Sequence, residues 1–188
     1  MTRRFAHVVG FDDAPFARAH RGDVLVVGAV YAGTRLDGVL AARVRRDGAN
    51  ATRALVECVR RSRFRPQLHA VLLQGIAFAG FNVVDLAALH ATLELPVLVV
   101  ARRKPDLAKI RSALLEHVPG GARKWRLVER AGAMEAAAGL WVQRAGLSLA
   151  DCESLLRRYA LNGLMPEPLR AAHLIAGGVA TGESRHRA

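Results

Sequence analysis

Apolar and polar positions along the chain follow two different periods, and the period switches several times. Phe5 to Phe11, "FAHVVGF", is an apolar run of strand length that ends on Asp12-Asp13. "DVLVVGAVYAG" and "TRLDGVLAARVRRDG" predict two more strands, joined by a hairpin-like turn at Gly33-Thr34. Leu36, Leu40 and Val44 keep even spacing, so they share one face of the third strand. The period then becomes helical: Ala51, Ala54, Leu55, Cys58 and Val59 form one stripe, with Asn50 or Thr52 near the N-cap. "LHAVLLQG" returns to a strand that ends on Gln74. "FNVVDLAALHATL" predicts a helix with Val84, Leu86, Leu89 and Leu93 toward the core. "LPVLVVAR" is continuously apolar, as in the buried centre of a parallel sheet. "KPDLAKIRSALLEHV" predicts a helix with Pro105 in its first turn. After "PGG", "RKWRLVER" and "GLWVQRAG" predict two short strands. "SLADCESLLRRYAL", capped by Ser148, and "PEPLRAAHLIAGGV" predict the last two helices.

Three strands with a hairpin between the second and third, followed by strand–helix alternation, specify an α/β protein. An antiparallel meander joined to parallel β-α-β units makes a mixed central sheet with helices on both faces. This order resembles a ribonuclease H-like fold more than a Rossmann fold. A Rossmann domain would follow its first strand with a Gly-x-Gly-x-x-Gly turn and a helix, whereas here "GFDDAPFARAHRG" leads into a second strand. The chain reads as a single domain over residues 1–180 with a small polar tail at 181–188.

Composition sharpens this picture in three ways. With 188 residues, 52% hydrophobic and 23% charged, the chain is long enough for one full core. No apolar run reaches the roughly 18 residues of a membrane span, and "MTRRFAHVVGFDD" meets two aspartates before a signal-peptide core forms, so a cytoplasmic protein without membrane association is expected. Cys58 and Cys152 fall on separate helices with no Cys-x-x-Cys spacing, which argues for reduced thiols over a disulfide or zinc site. The formal net charge of +12, carried almost wholly by arginine with lysine only at 104, 109 and 124, favours a polyanionic partner, nucleic acid foremost, with DNA and RNA both open.

Candidate chemistry gathers at strand ends. Asp12 and Asp13 close the first strand. Successive side chains alternate, so one points into a site and the other away. Carboxylates in such a place suit a hard cation, which takes oxygen ligands and keeps several waters; a turn-forming Asp pair before Pro15 is the plainer alternative. Asp47, after "RVRR", enters the first helix beside the end of strand one, as a ligand or as an ordinary helix-entry residue. Gln74 offers one neutral carbonyl oxygen. The loop "GIAFAG" has the two glycines of a phosphate loop, but Phe81-Asn82 stands where Lys-Ser/Thr would be required. Asp85 lies near the start of the following helix, toward the site or toward solvent. His69, His90, His117 and His173 sit on separate elements in no ligand-pair spacing and read as structural or surface histidines, and Tyr31, Trp125 and Trp141 as core.

Several segments taken together resemble a prokaryotic family of unknown function that is homologous to endonuclease V: "VVGFDDAPF", "VRRDGANAT", "GIAFAGFNVVDL", "LPVLVVARRKPD", "VQRAGLS" and "GLMPEPLRAAHLIAGGVATGES". "GFNVVD" and "PEPLRAAHLIA" are the specific ones, and the order is kept along essentially the whole chain. The resemblance implies a ribonuclease H-like fold and a magnesium- or manganese-dependent cut near deaminated purines. It places the first metal carboxylate at Asp12. It places the third at Gln74, where the nuclease has an Asp-Gly pair and this chain has Gln74-Gly75. The second falls on Val44 or on Asp47, and Asp47 is preferred because it lies beside the end of strand one. The nuclease's later Gly-His matches Gly146-Leu147, and its substrate-opening wedge has no match in "YAGTRLDG". "MPEPLRAAH" is expected to build the fold and to contribute no chemistry.

The resulting expectation is an endonuclease V-like nucleic-acid-binding protein with a degenerate metal site and weak or no cleavage. Replacing a metal carboxylate by an amide removes a full charge, so magnesium or manganese would be weakly held by Asp12, Asp13 and Asp47, with Gln74, Gly75, Asn82 and Asp85 lining the site. The first alternative is an active endonuclease or phosphohydrolase with a rearranged carboxylate site, Asp12 and Asp47 being catalytic. The second is a non-catalytic structural or complex-forming protein.

Overall fold

The computed structural model describes residues 5–184. Residues 1–4 and the last four residues of the expected polar tail lie outside that range. A seven-stranded mixed sheet forms the centre. Its strands are β1 (His7–Asp13), β2 (Asp23–Ala32), β3 (Arg35–Arg45), β4 (Ala70–Gln74), β7 (Val97–Ala101), β8 (Glu135–Ala137) and β9 (Leu140–Ala145), in the spatial order β3-β2-β1-β4-β7-β9-β8. The first three strands run as an antiparallel meander, β4 and β7 add in parallel to β1, and β9 and β8 close the far side antiparallel. Two further strands, β5 (Ala77–Phe78) and β6 (Asn82–Val83), form a small separate hairpin. The mixed, meander-then-parallel sheet expected from the sequence is the observed one.

The helices are α1 (Ala51–Arg60), α2 (Leu86–Leu93), α3 (Leu107–His117), α4 (Gly121–Arg130), α5 (Leu149–Tyr159) and α6 (Glu167–Thr181). The central strands β1, β4 and β7 are buried almost end to end, because they are covered on both sides. α6 packs on β1 and β2 so closely that a Cβ at Gly10 would stand 2.6 Å from the carbonyl carbon of Pro168. Only glycine permits that approach, and it brings α6 against the end of β1 that carries Asp12 and Asp13. A satellite core of Val83, Leu114 and Val128 joins α3 and α4 to β6.

Several local expectations change. "RKWRLVER" is helix α4, not a strand. Its buried positions Gly121, Lys124 and Val128 follow helical spacing, and it pairs with α3 instead of a sheet edge. The helix expected from Phe81 starts only at Leu86, with Asp85 as its N-cap, because residues 82–83 are taken by β6. Pro105 precedes the α3 N-cap, Asp106, and so lies just outside the first turn. Strand β8 is alanine-rich and weakly β-forming in its own right. It exists by pairing with β9 across Ala138 (φ 48°) and Gly139 (φ 80°), whose paired positive φ values suit a tight hairpin. Tyr31 is buried as expected, but Trp125 and Trp141 are only half-buried, and Lys104 lies over the Trp141 ring at 5.1 Å. Ser148 caps α5 by accepting from the Asp151 backbone N–H at 3.1 Å. Both cysteines are free thiols, each pushed up to about 11 by burial.

Candidate active site

The end of β1 places its two carboxylates on opposite sides of one strand, as alternation demands. Asp12 points to α6, where its Oδ2 lies 2.8 Å from His173 Nδ1, and its Oδ1 accepts the Asp13 backbone N–H at 2.9 Å. Asp13 points the other way, to the β5–β6 hairpin, where its Oδ2 accepts the Ala79 backbone N–H at 2.7 Å. Asp12 is 5% exposed. A carboxylate accepts and does not donate, so His173 carries its hydrogen on Nδ1 when Asp12 is ionised.

Burial dominates the electrostatics of the pair. It raises the Asp12 carboxyl above the usual carboxylate range, and His173 opposes the rise by hydrogen bond and charge. Burial and then the charge of Asp12 push Asp13 up to about 6. Two acids held this close, and resisting ionisation, form a local demand for positive charge.

Both carboxylates open on a cleft of about 330 Å³, lined also by Phe16, Gln74, His173 and Thr181. Gln74 ends β4, next to β1 in the sheet. Its Oε1 is buried and accepts no hydrogen bond from the protein. A buried carbonyl oxygen without a donor is unfavourable by about 1–3 kcal/mol, so this atom is an unmet acceptor in a residue that lines the cleft. Gly75, at φ 84°, turns the chain out of β4 in the left-handed region that glycine tolerates.

The other sequence candidates lie elsewhere. Asp47 does not line the cleft. Its Oδ1 accepts the Phe81 N–H at 2.9 Å, and its Oδ2 forms an ion pair with Arg46 Nε at 3.2 Å, without hydrogen-bond alignment. Its backbone N–H donates to Ala79 O at 2.9 Å, and its carbonyl accepts from Lys124 Nζ. These bonds fix the loop whose Ala79 N–H holds Asp13. Asn82 is fully buried. Its Oδ1 accepts the Ala51 N–H at the start of α1, and its Nδ2 donates to Arg45 O and Asn50 Oδ1. Asp85 caps α2 through the Ala88 N–H and meets Arg130 Nη1 at 3.1 Å. Among the described residues, no three His, Cys, Asp or Glu side chains come together as a metal-holding group.

His173 is the residue the sequence reading passed over, since it stood alone in a helix expected to contribute no chemistry. The available signal was its place on the face of "PEPLRAAHLIA" that meets β1. Gly146-Leu147, the match for the nuclease's Gly-His, follows β9 beside the start of β7, at the opposite end of the sheet from Asp12.

This sheet order, a meander followed by parallel β-α-β units, is the mixed sheet of a ribonuclease H-like fold. The fold is shared with the crystal structure of Ciona intestinalis endonuclease V in complex with a 24mer DNA containing an inosine followed by a ribo-adenosine. That likeness has a TM-score of 0.54 and 13% identity over 89% of this chain and 82% of that one. A crystal structure from Archaeoglobus fulgidus, described as a protein of unknown function, superposes with a TM-score of 0.87 and 35% identity, over 94% and 99% of the two chains. A UPF0215 protein of Deinococcus radiodurans is 65% identical over 181 residues, 96% of this chain and 92% of its own. Residues 4–180 match the family described as endonuclease dU, and the chain belongs to that family.

Proposed function

We propose that the protein is a divalent-metal-dependent endonuclease that cuts DNA carrying deoxyuridine. The observation that carries this reading is the pair of adjacent buried carboxylates at the end of β1, one of them held by His173, opening on a cleft. A scaffold that only binds nucleic acid gains nothing from burying two acids against a polyanion. The family description supplies the substrate class, the likeness to a DNA-bound endonuclease V supplies the polymer, and the net charge of +12 supplies the long-range attraction.

The residues of the cleft fit a hard cation. Oxygen donors predominate, namely the carboxylates of Asp12 and Asp13 and the orphaned Oε1 of Gln74, with the His173 ring beside them, which suits magnesium or manganese over softer ions. Bound there, such an ion would supply charge stabilisation at the phosphodiester and a more acidic water. The chain's own part is to hold Asp12 in one orientation through His173 and the Asp13 N–H. It also holds Asp13 against the β5–β6 hairpin and keeps a proton on His173 Nδ1. With Asp47 committed to the loop, Asp12 and Asp13 would be the only acids of the cleft to hold the ion.

Gln74 favours a second reading: a protein that binds the same DNA and cuts it weakly or not at all. An amide contributes no charge to offset that of the cation. Incubation of end-labelled DNA bearing one deoxyuridine, one deoxyinosine or neither, with magnesium or manganese, separates the two. Cutting at deoxyuridine alone supports the enzyme. Salt-dependent binding without cutting supports the second reading.

A further inference from the structure

A second concavity, of about 420 Å³, lies between α1, α2 and α4, and its charges come from three separate elements. Arg53 on α1 and Arg123 on α4 stand at its rim, both exposed and neither in an ion pair among the described residues. Lys124 lies in its wall, 5% exposed, with its ammonium on the Asp47 carbonyl. The acid of the groove, Asp85, is already engaged by the α2 N-cap and by Arg130. The balance in the groove is therefore positive. Val56, Val83 and Leu127 give it apolar walls.

The placement of these cations does not serve the stability of the helix. Arg123 and Lys124 fall in the first turn of α4, which carries no acidic residue. Positive charge there opposes the helix dipole. Lys124 also loses hydration, and burial lowers its tendency to hold a proton. An arrangement unfavourable to the empty protein and favourable with an anion present is what a phosphate-binding surface requires.

The groove also touches the cleft through a short chain of hydrogen bonds. Lys124 holds the Asp47 carbonyl, the Asp47 N–H holds Ala79 O, and the Ala79 N–H holds Asp13. The β5–β6 hairpin links the two depressions, with Ala79 bonded to Asp13 of the cleft and Val83 in the lining of the groove.

We propose that this groove binds the sugar-phosphate backbone flanking the deoxyuridine, with Arg53 and Arg123 on phosphates and the apolar walls against the sugars. The inference rests on the nuclease reading given above and extends it to the course of the strand across the surface. A phosphate contact made by one cation contributes about 0.7–0.9 to the slope of log affinity against log salt.

The test is binding of a deoxyuridine oligonucleotide, followed over a salt series in calcium, by the wild type and by Arg53→Ala, Arg123→Ala and the double variant. Arg157→Ala, on α5 and paired with Glu153, is the control. Each single groove variant is expected to lower the slope by about 0.7–0.9 and the double variant by about twice that, with the control unchanged. Groove variants that keep the wild-type slope overturn the inference while the wild type's own binding and cutting leave the nuclease reading in place. A wild type that neither binds nor cuts overturns both.

Discussion

His173 Nδ1 and Asp12 Oδ2 lie 2.8 Å apart although 161 positions separate them in the chain. The contact exists because α6 packs on β1 at Gly10, one strand repeat before Asp12. It gives a buried carboxylate a donor and a fixed orientation. Partners of this kind, holding a carboxylate from behind, are worth about 10–100-fold in metal affinity or activity. His173→Ala is therefore expected to lower deoxyuridine cutting by that factor and to raise the manganese concentration needed for half-maximal rate, as a metal titration of the cleavage rate would register.

Gln74→Asp puts a third acid beside two that already resist ionisation. Without metal, the variant is expected to melt at lower temperature than the wild type at neutral pH, through like-charge repulsion and desolvation. With millimolar magnesium or manganese the order is expected to reverse, because the folded form gains a tighter ligand. Calorimetric melting in chelator and in metal reads both signs. A variant that melts alike in the two buffers would show that Gln74 does not face a cation site.

Asn82 is a structural residue. Asn82→Ala removes the acceptor of the Ala51 N–H and the donor to Arg45 O, leaving buried groups unsatisfied at about 1–3 kcal/mol. Urea unfolding is expected to show that loss as a lower midpoint at unchanged slope.

The Glu167–Arg170 pair at the start of α6 gives a pH dependence. Arg170, at 2.8 Å through Nε, holds the Glu167 carboxyl below its ordinary range, with Asn162 assisting against the effect of burial. A depressed carboxyl contributes stability that is present above its unfolded value and is lost as pH falls through the folded one. The contribution of this pair is thus expected to fall away below about pH 4.5, the unfolded glutamate range. Glu167→Gln is expected to be less stable at pH 7 by about 1–3 kcal/mol and to show a flatter acid limb. Melting temperature against pH checks both.

The fold was largely legible because its signals are local. The alternation in β3, the continuous apolar runs of β2, β4 and β7, and the Ser148 cap each act within a few residues. Where a segment takes its conformation from a distant partner, the sequence misleads. "RKWRLVER" alternates well enough for a strand but packs as a helix on α3, and β8 is a strand only because β9 lies beside it. The candidate site divides the same way. Asp12, Asp13 and Gln74 are strand ends, marked by a polar residue closing an apolar run, and the structure brings them to one cleft. His173 is a lone histidine in a helix until that helix is laid on β1. Asp47 looked like a ligand because it stands near the end of strand one in sequence logic, yet its carboxylate is consumed by the Phe81 N–H and Arg46.

The most direct measurement is single-turnover cleavage of an end-labelled strand with one deoxyuridine, in manganese, by the wild type and by Asp12→Asn, which keeps the shape of the side chain and removes its charge. The account requires a cut at the deoxyuridine by the wild type and a rate lower by at least about 10²-fold in the variant, in the range for loss of an electrostatic group at a reacting centre. Equal rates in the two proteins would contradict it, because the Asp12–His173 cleft would then not be where the bond is broken.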